Sequence, residues 1–216
     1  MTNNPPKIDQ WKREIETITS DVTDAIENQF VFKRVVEIVR GNPKISGKDN
    51  LFWDYLTANF GAGLVLGVAR QVDDRHEVIS LWKLLMDIKA NASIVTRKWF
   101  IEQYAERDMA NFGDPHFSER FGLKPEIDTA ILDKDIADLV VATKKVERFR
   151  HTRIAHKNVD KKLVIDLNFG EIEAALKVVE GLVIKYQLLL NQSGYNELMP
   201  TMHYDWEEIF RAPWKS

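Results

Sequence analysis

Apolar residues recur at intervals of three and four along nearly the whole chain, and this spacing most constrains the fold. The clearest run contains Ile8, Trp11, Ile15, Ile18, Val22 and Ile26. Such spacing places apolar side chains on one stripe of an α-helix, and that stripe must be buried against other helices. The sequence therefore predicts an all-α protein, a helical bundle of about five to seven helices, folded as a single domain over residues 1–216.

Turn-forming residues and capping signals divide this pattern into separate helices. A loop rich in Gly, Pro, Ser and Asn is expected over residues 41–50. Ser80 is a candidate N-cap, because its hydroxyl can accept a hydrogen bond from the first turn, and Gly194 is a plausible C-terminal stop. The predicted helices are 8–26, which continues or restarts through 31–39, then 51–72, 81–88, 94–104, 128–158 and 172–190.

Three segments interrupt the helical pattern. Residues 111–125 contain Gly, Pro and three phenylalanines, which predicts a long irregular loop packed on the body and overhanging a site. Residues 162–168 alternate apolar with polar side chains, so one short extended segment is expected there. The tail over residues 195–216 is rich in aromatic side chains. It is therefore expected to dock on the domain or on a partner.

The composition is that of a soluble globular protein. Hydrophobic residues make up 44% of the 216 residues and charged residues 29%, which excludes a disordered chain. No run of about 18 apolar residues is present, so no membrane-spanning helix is expected. The sequence has no apolar signal-peptide region at its start and no cysteine, which fits a reducing compartment. We therefore expect a cytoplasmic protein with no membrane partner.

The glycines of residues 61–67 do not form a nucleotide-binding loop. Such a loop needs a preceding strand, and these glycines lie inside a helical pattern. Close helix packing through Gly63 and Gly67 is the better interpretation, although each glycine costs about 1 kcal/mol against alanine. A Walker-type phosphate loop and a Gly-x-Ser-x-Gly elbow are also absent from the sequence. The sequence therefore indicates neither a nucleotide cofactor nor a serine nucleophile.

Histidine spacing also argues against a metal site. Asp73 and His76 form one Asp-x-x-His step, but a di-metal bundle needs a second step and further glutamates. His151 and His156 are five residues apart, about 140° around an α-helix, and cannot clamp zinc as an i, i+4 pair does. We expect no metal and no cofactor.

Positive charge concentrates in residues 144–162. This segment has eight Lys and Arg residues against two acidic residues, a net charge of +6 in a chain of net charge −3. On an α-helix, Arg150, Arg153 and His156 fall within about 120° of arc. One phosphate can then contact all three, and arginine and histidine are suited to bind it and to transfer protons. The alternative is a solvated basic face with no chemistry.

The same residues resemble the signature of the HEPN superfamily, an arginine and a histidine separated by four to six residues. Arg150 and His156 have five residues between them, His151 supplies the polar residue that usually follows the arginine, and the segment ends in the common Ala-His pair. Arg70 and His76 meet the bare spacing as well. Position on a long helix, followed by an extended piece and another amphipathic helix, favours the later match.

A second stretch is similar to the abortive-infection, AbiU-type branch of that superfamily. There an Ala-Arg-x-x-Asp step precedes a Ser-Leu-x-x-Leu-Leu helix, and here residues 67–73 and 79–85 carry both. The resemblance covers about residues 51–190. Arg70 and Asp73 are interpreted as a structural i, i+3 pair and not as a second site.

This resemblance implies a metal-independent endoribonuclease that acts in phage defence or in a toxin–antitoxin pair. It implies a homodimer in which the two basic helices face each other. His156 would transfer protons in an attack by the ribose 2′-OH, Arg150 would stabilise the phosphorane, and His151 would orient the phosphate or supply a second proton-transfer group. The RNA backbone would also be held by Arg153, Lys157, Lys161 and Lys162.

Two alternatives to cleavage remain open. The overall negative charge is unusual for a protein that must find RNA unaided, and it favours a HEPN-like dimer that binds RNA or a nucleotide without cutting. The aromatic tail favours a third interpretation, an interaction partner that docks on an antitoxin or on another chain of a defence complex.

Overall fold

Seven α-helices make up most of the part of the chain that the structure describes, and no strand occurs in that part. The computed structural model describes residues 6–42, 51–105, 110–155 and 166–211. The helices are α1 (Pro6–Gly41), α2 (Leu51–Arg70), α3 (Leu81–Ala90), α4 (Arg97–Ala105), α5 (Ala110–Phe121), α6 (Thr129–Phe149) and α7 (Phe169–Asn191). The predicted all-α bundle is confirmed.

Helix α1 runs unbroken for 36 residues and packs along α7 and α2. The sequence left open whether the helix continues through residues 31–39, and it does. Its apolar stripe is buried, and Trp11 is fully enclosed while its indole Nε1 donates a 2.8 Å hydrogen bond to Asp87 Oδ2 on α3. Enclosing the indole while satisfying its one donor fixes α1 against α3.

Helix α6 is held against α7 by a buried carboxylate. Asp135 is 6% exposed, and its Oδ2 accepts hydrogen bonds from Tyr186 Oη at 2.7 Å and Lys185 Nζ at 2.5 Å. Burial first, and then the adjacent carboxylate, raises the pKa of Tyr186 well above its usual value. Because the phenol stays protonated, it remains a donor to Asp135, and α6 is locked in register against α7.

The predicted loop over residues 111–125 is wrong for most of its length, because Ala110–Phe121 is helix α5. Phe117 and Phe121 are four residues apart, fully buried, and pack on Phe100 with ring centroids 5.5 Å and 5.9 Å away. Burying two phenylalanines contributes about 3–6 kcal/mol, whereas Pro115 inside the helix costs about 3 kcal/mol. Aromatic burial therefore outweighs the turn-forming residues.

Helix α2 is apolar but only partly covered. Its length and composition would allow it to cross a membrane, and 17% of its most apolar 18-residue stretch is buried in the structure. The absence of a membrane-spanning helix thus remains a prediction.

The two glycines predicted to allow close helix packing differ. A Cβ at Gly67 would lie 3.2 Å from Ala25 Cβ, so close packing there is confirmed. A Cβ at Gly63 would meet nothing within 4 Å. Gly63 was wrongly assigned to a helix contact.

Helix α7 ends at Asn191, before the predicted stop at Gly194. Gln192 takes the left-handed conformation with φ of 50°, and its backbone N–H caps Leu188 O at 3.1 Å. The side-chain amide of Gln192 also donates to Leu189 O at 3.2 Å. These local bonds offset the strain of a left-handed non-glycine residue.

The described part of the aromatic tail, residues 195–211, makes contacts with α1 and α7. Leu198 is buried, and its N–H donates to Glu180 Oε1 at 2.9 Å. Trp206 packs edge-on against Phe30 at 6.2 Å, and the next residue, Glu207, accepts a 2.6 Å hydrogen bond from Arg34. Three stretches lie outside the described residues: 43–50 of the loop predicted over 41–50, 162–165 of the extended segment predicted over 162–168, and 212–216 of the tail.

Candidate functional site

The basic segment does not continue as a regular α-helix. Helix α6 begins at the predicted place, where the Asp128 side chain accepts from Ala130 N at 3.1 Å, and it ends at Phe149. From Arg150–Ala155 the backbone is a π-helical turn. A π-turn widens the helix and is frequent at functional sites. The 100° spacing of an α-helix, which would group Arg150 with Arg153, therefore does not apply to this turn, and His156 lies outside the described residues.

Arg150 is fixed in place at the start of this turn. Its side chain is 16% exposed, and Nη1 donates to Asp73 Oδ2 at 3.1 Å. The two residues are 77 positions apart in the sequence, and they meet because α2 packs against α6 and the π-turn. A charge-assisted bond to a buried carboxylate removes most of the conformational freedom of an arginine. Arg150 is thus preorganised.

His151 lies beside Arg150 and is more exposed. Its ring Nε2 is 3.0 Å from Arg150 Nη2. An arginine only donates, so a hydrogen bond between these two atoms has Nε2 as its acceptor. Glu147 Oε1 lies 3.8 Å from the same nitrogen, close enough for an ion pair only when the imidazole is protonated.

Asp73 organises the loop between α2 and α3. Its Oδ1 accepts from Arg75 N at 3.1 Å and from Arg75 Nε at 3.0 Å, while Oδ2 accepts from Arg75 Nη2 at 2.8 Å. Its backbone carbonyl accepts from Ser80 Oγ at 2.7 Å, and Ser80 also caps α3 as predicted. The hydrogen bond from Arg75, and then that from Arg150, hold the pKa of the Asp73 carboxyl well below its usual range.

The expected Arg70–Asp73 pair is wrong. Arg70 Nη1 instead donates to Asp21 Oδ1 on α1 at 3.0 Å. Helix α2 ends at Arg70, so Asp73 leaves the helix and its carboxylate turns to Arg75 and Arg150. An i, i+3 pairing requires both residues on one helical face, and the helix is too short to provide it.

The stability conferred by Asp73 should depend on pH. Because its pKa is lowered in the folded state, its stabilisation is present above the unfolded pKa of about 3.9 and is lost as the pH falls toward the folded value. Urea denaturation should show wild type more stable than Asp73→Asn near pH 7, with the gap closing from about pH 5 to pH 2. Asp74→Asn removes the same charge from an exposed neighbour, and an equal pH dependence of that variant would contradict the assignment.

The remaining predicted site residues cannot be placed in this geometry. The structure describes only the backbone of Arg153, and four residues lie outside the described part of the chain. Those four are His156, Lys157, Lys161 and Lys162. Of the predicted residues, the described site therefore contains Arg150 and His151.

Sequence reasoning missed two residues of this site, Asp73 and Arg75. The sequence predicts Asp73 only as a partner of Arg70 and predicts no role for Arg75. The available signal was the Asp of the Ala-Arg-x-x-Asp step, which lies in the stretch similar to the AbiU-type branch. That signal marks the residue but not its distant partner, Arg150.

An apolar groove of about 300 Å³ adjoins the site. Its walls come from α2, α7 and the residue before Arg150, and they include Thr57, Gly61, Val65, Phe149, Phe169 and Ile172. No group of three His, Asp or Glu side chains that could hold a metal ion occurs in the described parts of the chain.

The chain matches no protein-family model, no curated protein and no solved structure. The resemblance to HEPN proteins therefore rests on the residues of this sequence alone.

Proposed function

We propose that this protein is a metal-independent endoribonuclease of the HEPN type, with Arg150 at its phosphate-binding centre. The observation that carries the proposal is the preorganised guanidinium of Arg150, held by buried Asp73 and in contact with a histidine. Preorganised donors stabilise charge that develops in a transition state without reorganisation during the reaction. The phosphorane formed by attack of a ribose 2′-OH carries such charge.

The roles follow from the chemistry of each side chain. Arg150 binds the scissile phosphate and stabilises the phosphorane. His156 takes the proton of the 2′-OH or donates one to the leaving 5′-oxygen, and His151 orients the phosphate or serves as the second proton-transfer group. The flanking RNA backbone is held by Arg153, Lys157, Lys161 and Lys162.

In this proposal the active form is a homodimer in which two copies of the basic segment line one cleft. Two copies supply two sets of arginine and histidine, which allows one histidine to act as base while another acts as acid. The protein acts in the cytoplasm, in phage defence or as the toxin of a toxin–antitoxin pair, with an antitoxin or another defence protein as a possible further partner.

The test is incubation of the purified protein with end-labelled total RNA in EDTA, beside a folded His156→Ala variant. We expect cleavage by the wild type alone, leaving 2′,3′-cyclic phosphate ends, and no cleavage of DNA, because DNA lacks the 2′-OH. A requirement for magnesium, or products with a 3′-OH, would refute the mechanism.

The second candidate is an RNA- or nucleotide-binding protein that does not cut. It is favoured by His151, whose Nε2 accepts from Arg150 in this arrangement and so is not positioned as a proton donor at that atom. In that case His156→Ala keeps the biological effect, while Arg150→Ala removes ligand binding. The third candidate, an interaction partner that docks through its tail, gains no support from the tail's contacts with α1 and α7.

A further inference from the structure

Two arginines from distant parts of the chain converge on a single carboxylate oxygen. Arg75 Nη2 lies 2.8 Å from Asp73 Oδ2, and Arg150 Nη1 lies 3.1 Å from the same atom. Arg75 belongs to the loop after α2, and Arg150 to the π-turn after α6. The two guanidiniums therefore lie side by side, although nothing in the sequence links them.

The charged groups of this arrangement differ in their exposure to solvent. One carboxylate serves two guanidiniums, so the trio carries a net positive charge. The Asp73 side chain is 4% exposed, whereas that of Arg75 is 63% exposed. The Asp73 carboxylate is thus enclosed, whereas the Arg75 side chain faces solvent. Lys83 is a further cation nearby, and its Nζ donates to Arg75 O at 3.0 Å. Two acidic residues of the same loop, Asp74 and Glu77, attract the Arg75 guanidinium electrostatically.

Both guanidiniums keep donors for an outside ligand. Arg75 directs Nε and Nη2 at Asp73, which leaves its Nη1 edge pointing away from the carboxylate. Arg150 uses one N–H of each terminal nitrogen, toward Asp73 and His151. Guanidinium N–H groups are arranged as a planar fork that matches the oxygens of a phosphate group. An anion with two adjacent oxygens fits two neighbouring forks.

We propose that Arg75 is a second phosphate-binding residue beside Arg150, and that Asp73 positions the two guanidiniums to bind one phosphodiester of an RNA backbone. The proposal rests on the proposed function for the identity of the ligand. It requires that RNA be bound at this place, and it does not require that RNA be cut.

The test is binding of a fluorescently labelled 2′-O-methyl oligoribonucleotide, measured by anisotropy over a series of salt concentrations. This probe cannot be cleaved through its 2′-oxygen, so binding is measured apart from catalysis. Arg75→Gln should weaken binding about tenfold and reduce the log–log salt slope by about 0.7, the value for one phosphate contact on a single strand. Arg75→Lys keeps the charge but loses the fork and should restore only part of the affinity.

Arg70→Gln is the matched control. Arg70 is also an exposed arginine near the end of α2, 53% exposed, but it pairs with Asp21 on α1 and not with Asp73. Its loss removes the same charge and should leave both the affinity and the salt slope close to those of the wild type. Equal effects of Arg70→Gln and Arg75→Gln would overturn the proposal.

Asp73→Asn separates positioning from charge. The substitution removes a negative charge, so attraction by net charge alone predicts tighter binding of the oligonucleotide. If Asp73 positions the two arginines, the folded variant binds more weakly in spite of its extra positive charge. Tighter binding by Asp73→Asn would refute the positioning role, whether or not the variant is less stable.

The outcomes distinguish this proposal from ribonuclease activity. Arg75-dependent binding without cleavage by the wild type supports the arginine pair and refutes the nuclease. Cleavage by the wild type, with Arg75→Gln binding and cutting normally, supports the nuclease and refutes the pair. Failure of the wild type to bind the oligonucleotide overturns the arginine pair as an RNA site.

Discussion

Arg150→Ala is expected to lower kcat/KM for RNA cleavage by about 10²–10³-fold, the cost of removing one preorganised donor from a charged transition state. Arg150 is the predicted site residue whose side chain is both held by a buried carboxylate and in contact with a histidine. The effect should fall mainly on kcat, since the phosphorane carries more charge than the ground-state phosphodiester. Single-turnover cleavage of an end-labelled RNA measures it.

Two further variants test whether geometry or charge is responsible. Arg148→Ala removes the same charge from an exposed position two residues earlier, and its kcat/KM should stay close to that of the wild type. Arg150→Lys keeps the charge but cannot bond Asp73, His151 and a phosphate with one planar fork, so it should remain strongly impaired. Equal losses in Arg148→Ala and Arg150→Ala would show that only the overall charge of the segment matters.

Asp135→Ala is expected to lower the free energy of unfolding by about 3–5 kcal/mol, the cost of removing one member of a buried ion pair. The substitution leaves the Lys185 ammonium, which is 18% exposed, without its carboxylate and leaves the buried Tyr186 hydroxyl without its acceptor. Because α6 leads directly into Arg150, loosening α6 from α7 should also reduce activity. Urea denaturation followed by far-UV circular dichroism measures the stability.

Asp138→Ala is the matched control for this loss. Asp138 lies one turn further along α6 and pairs with Lys134 at 2.5 Å, but its side chain is 48% exposed. Exposed pairs on a helix contribute little, so the unfolding midpoint should stay near that of the wild type. Tyr186→Phe removes only the hydroxyl and should fall between the two, at about 1 kcal/mol. Similar midpoints for Asp135→Ala and Asp138→Ala would contradict the assignment of Asp135.

Helices with a continuous apolar stripe could be predicted from the sequence. The stripe of α1, the Ser80 cap of α3 and the apolar face of α7 depend on residues within a few positions of one another. Helix α5 was missed for the opposite reason. Its sequence contains turn formers, and it is helical because Phe117 and Phe121 find a buried partner in Phe100, which local signals do not show.

The candidate site likewise has properties that the sequence predicts and properties that it does not. The concentration of charge in the basic segment and the proximity of Arg150 to His151 could be predicted, because these residues lie together in the sequence. The roles of Arg150 and His151 stay predictions. The π-turn could not be predicted, since the same residues fit an α-helix equally well by pattern. The roles of His156 and of the basic residues that follow it stay predictions, because those residues lie outside the described part of the chain.

From the sequence alone one can predict the helical class, most of the helices and the concentration of positive charge that begins near the end of α6. These properties follow from the spacing of residues along one chain. The position of Asp73 beneath Arg75 and Arg150 depends instead on how the helices pack together. That contact joins residues 77 positions apart. It exists because α2 packs against α6 and its π-turn, a consequence of burying apolar faces that no local pattern specifies.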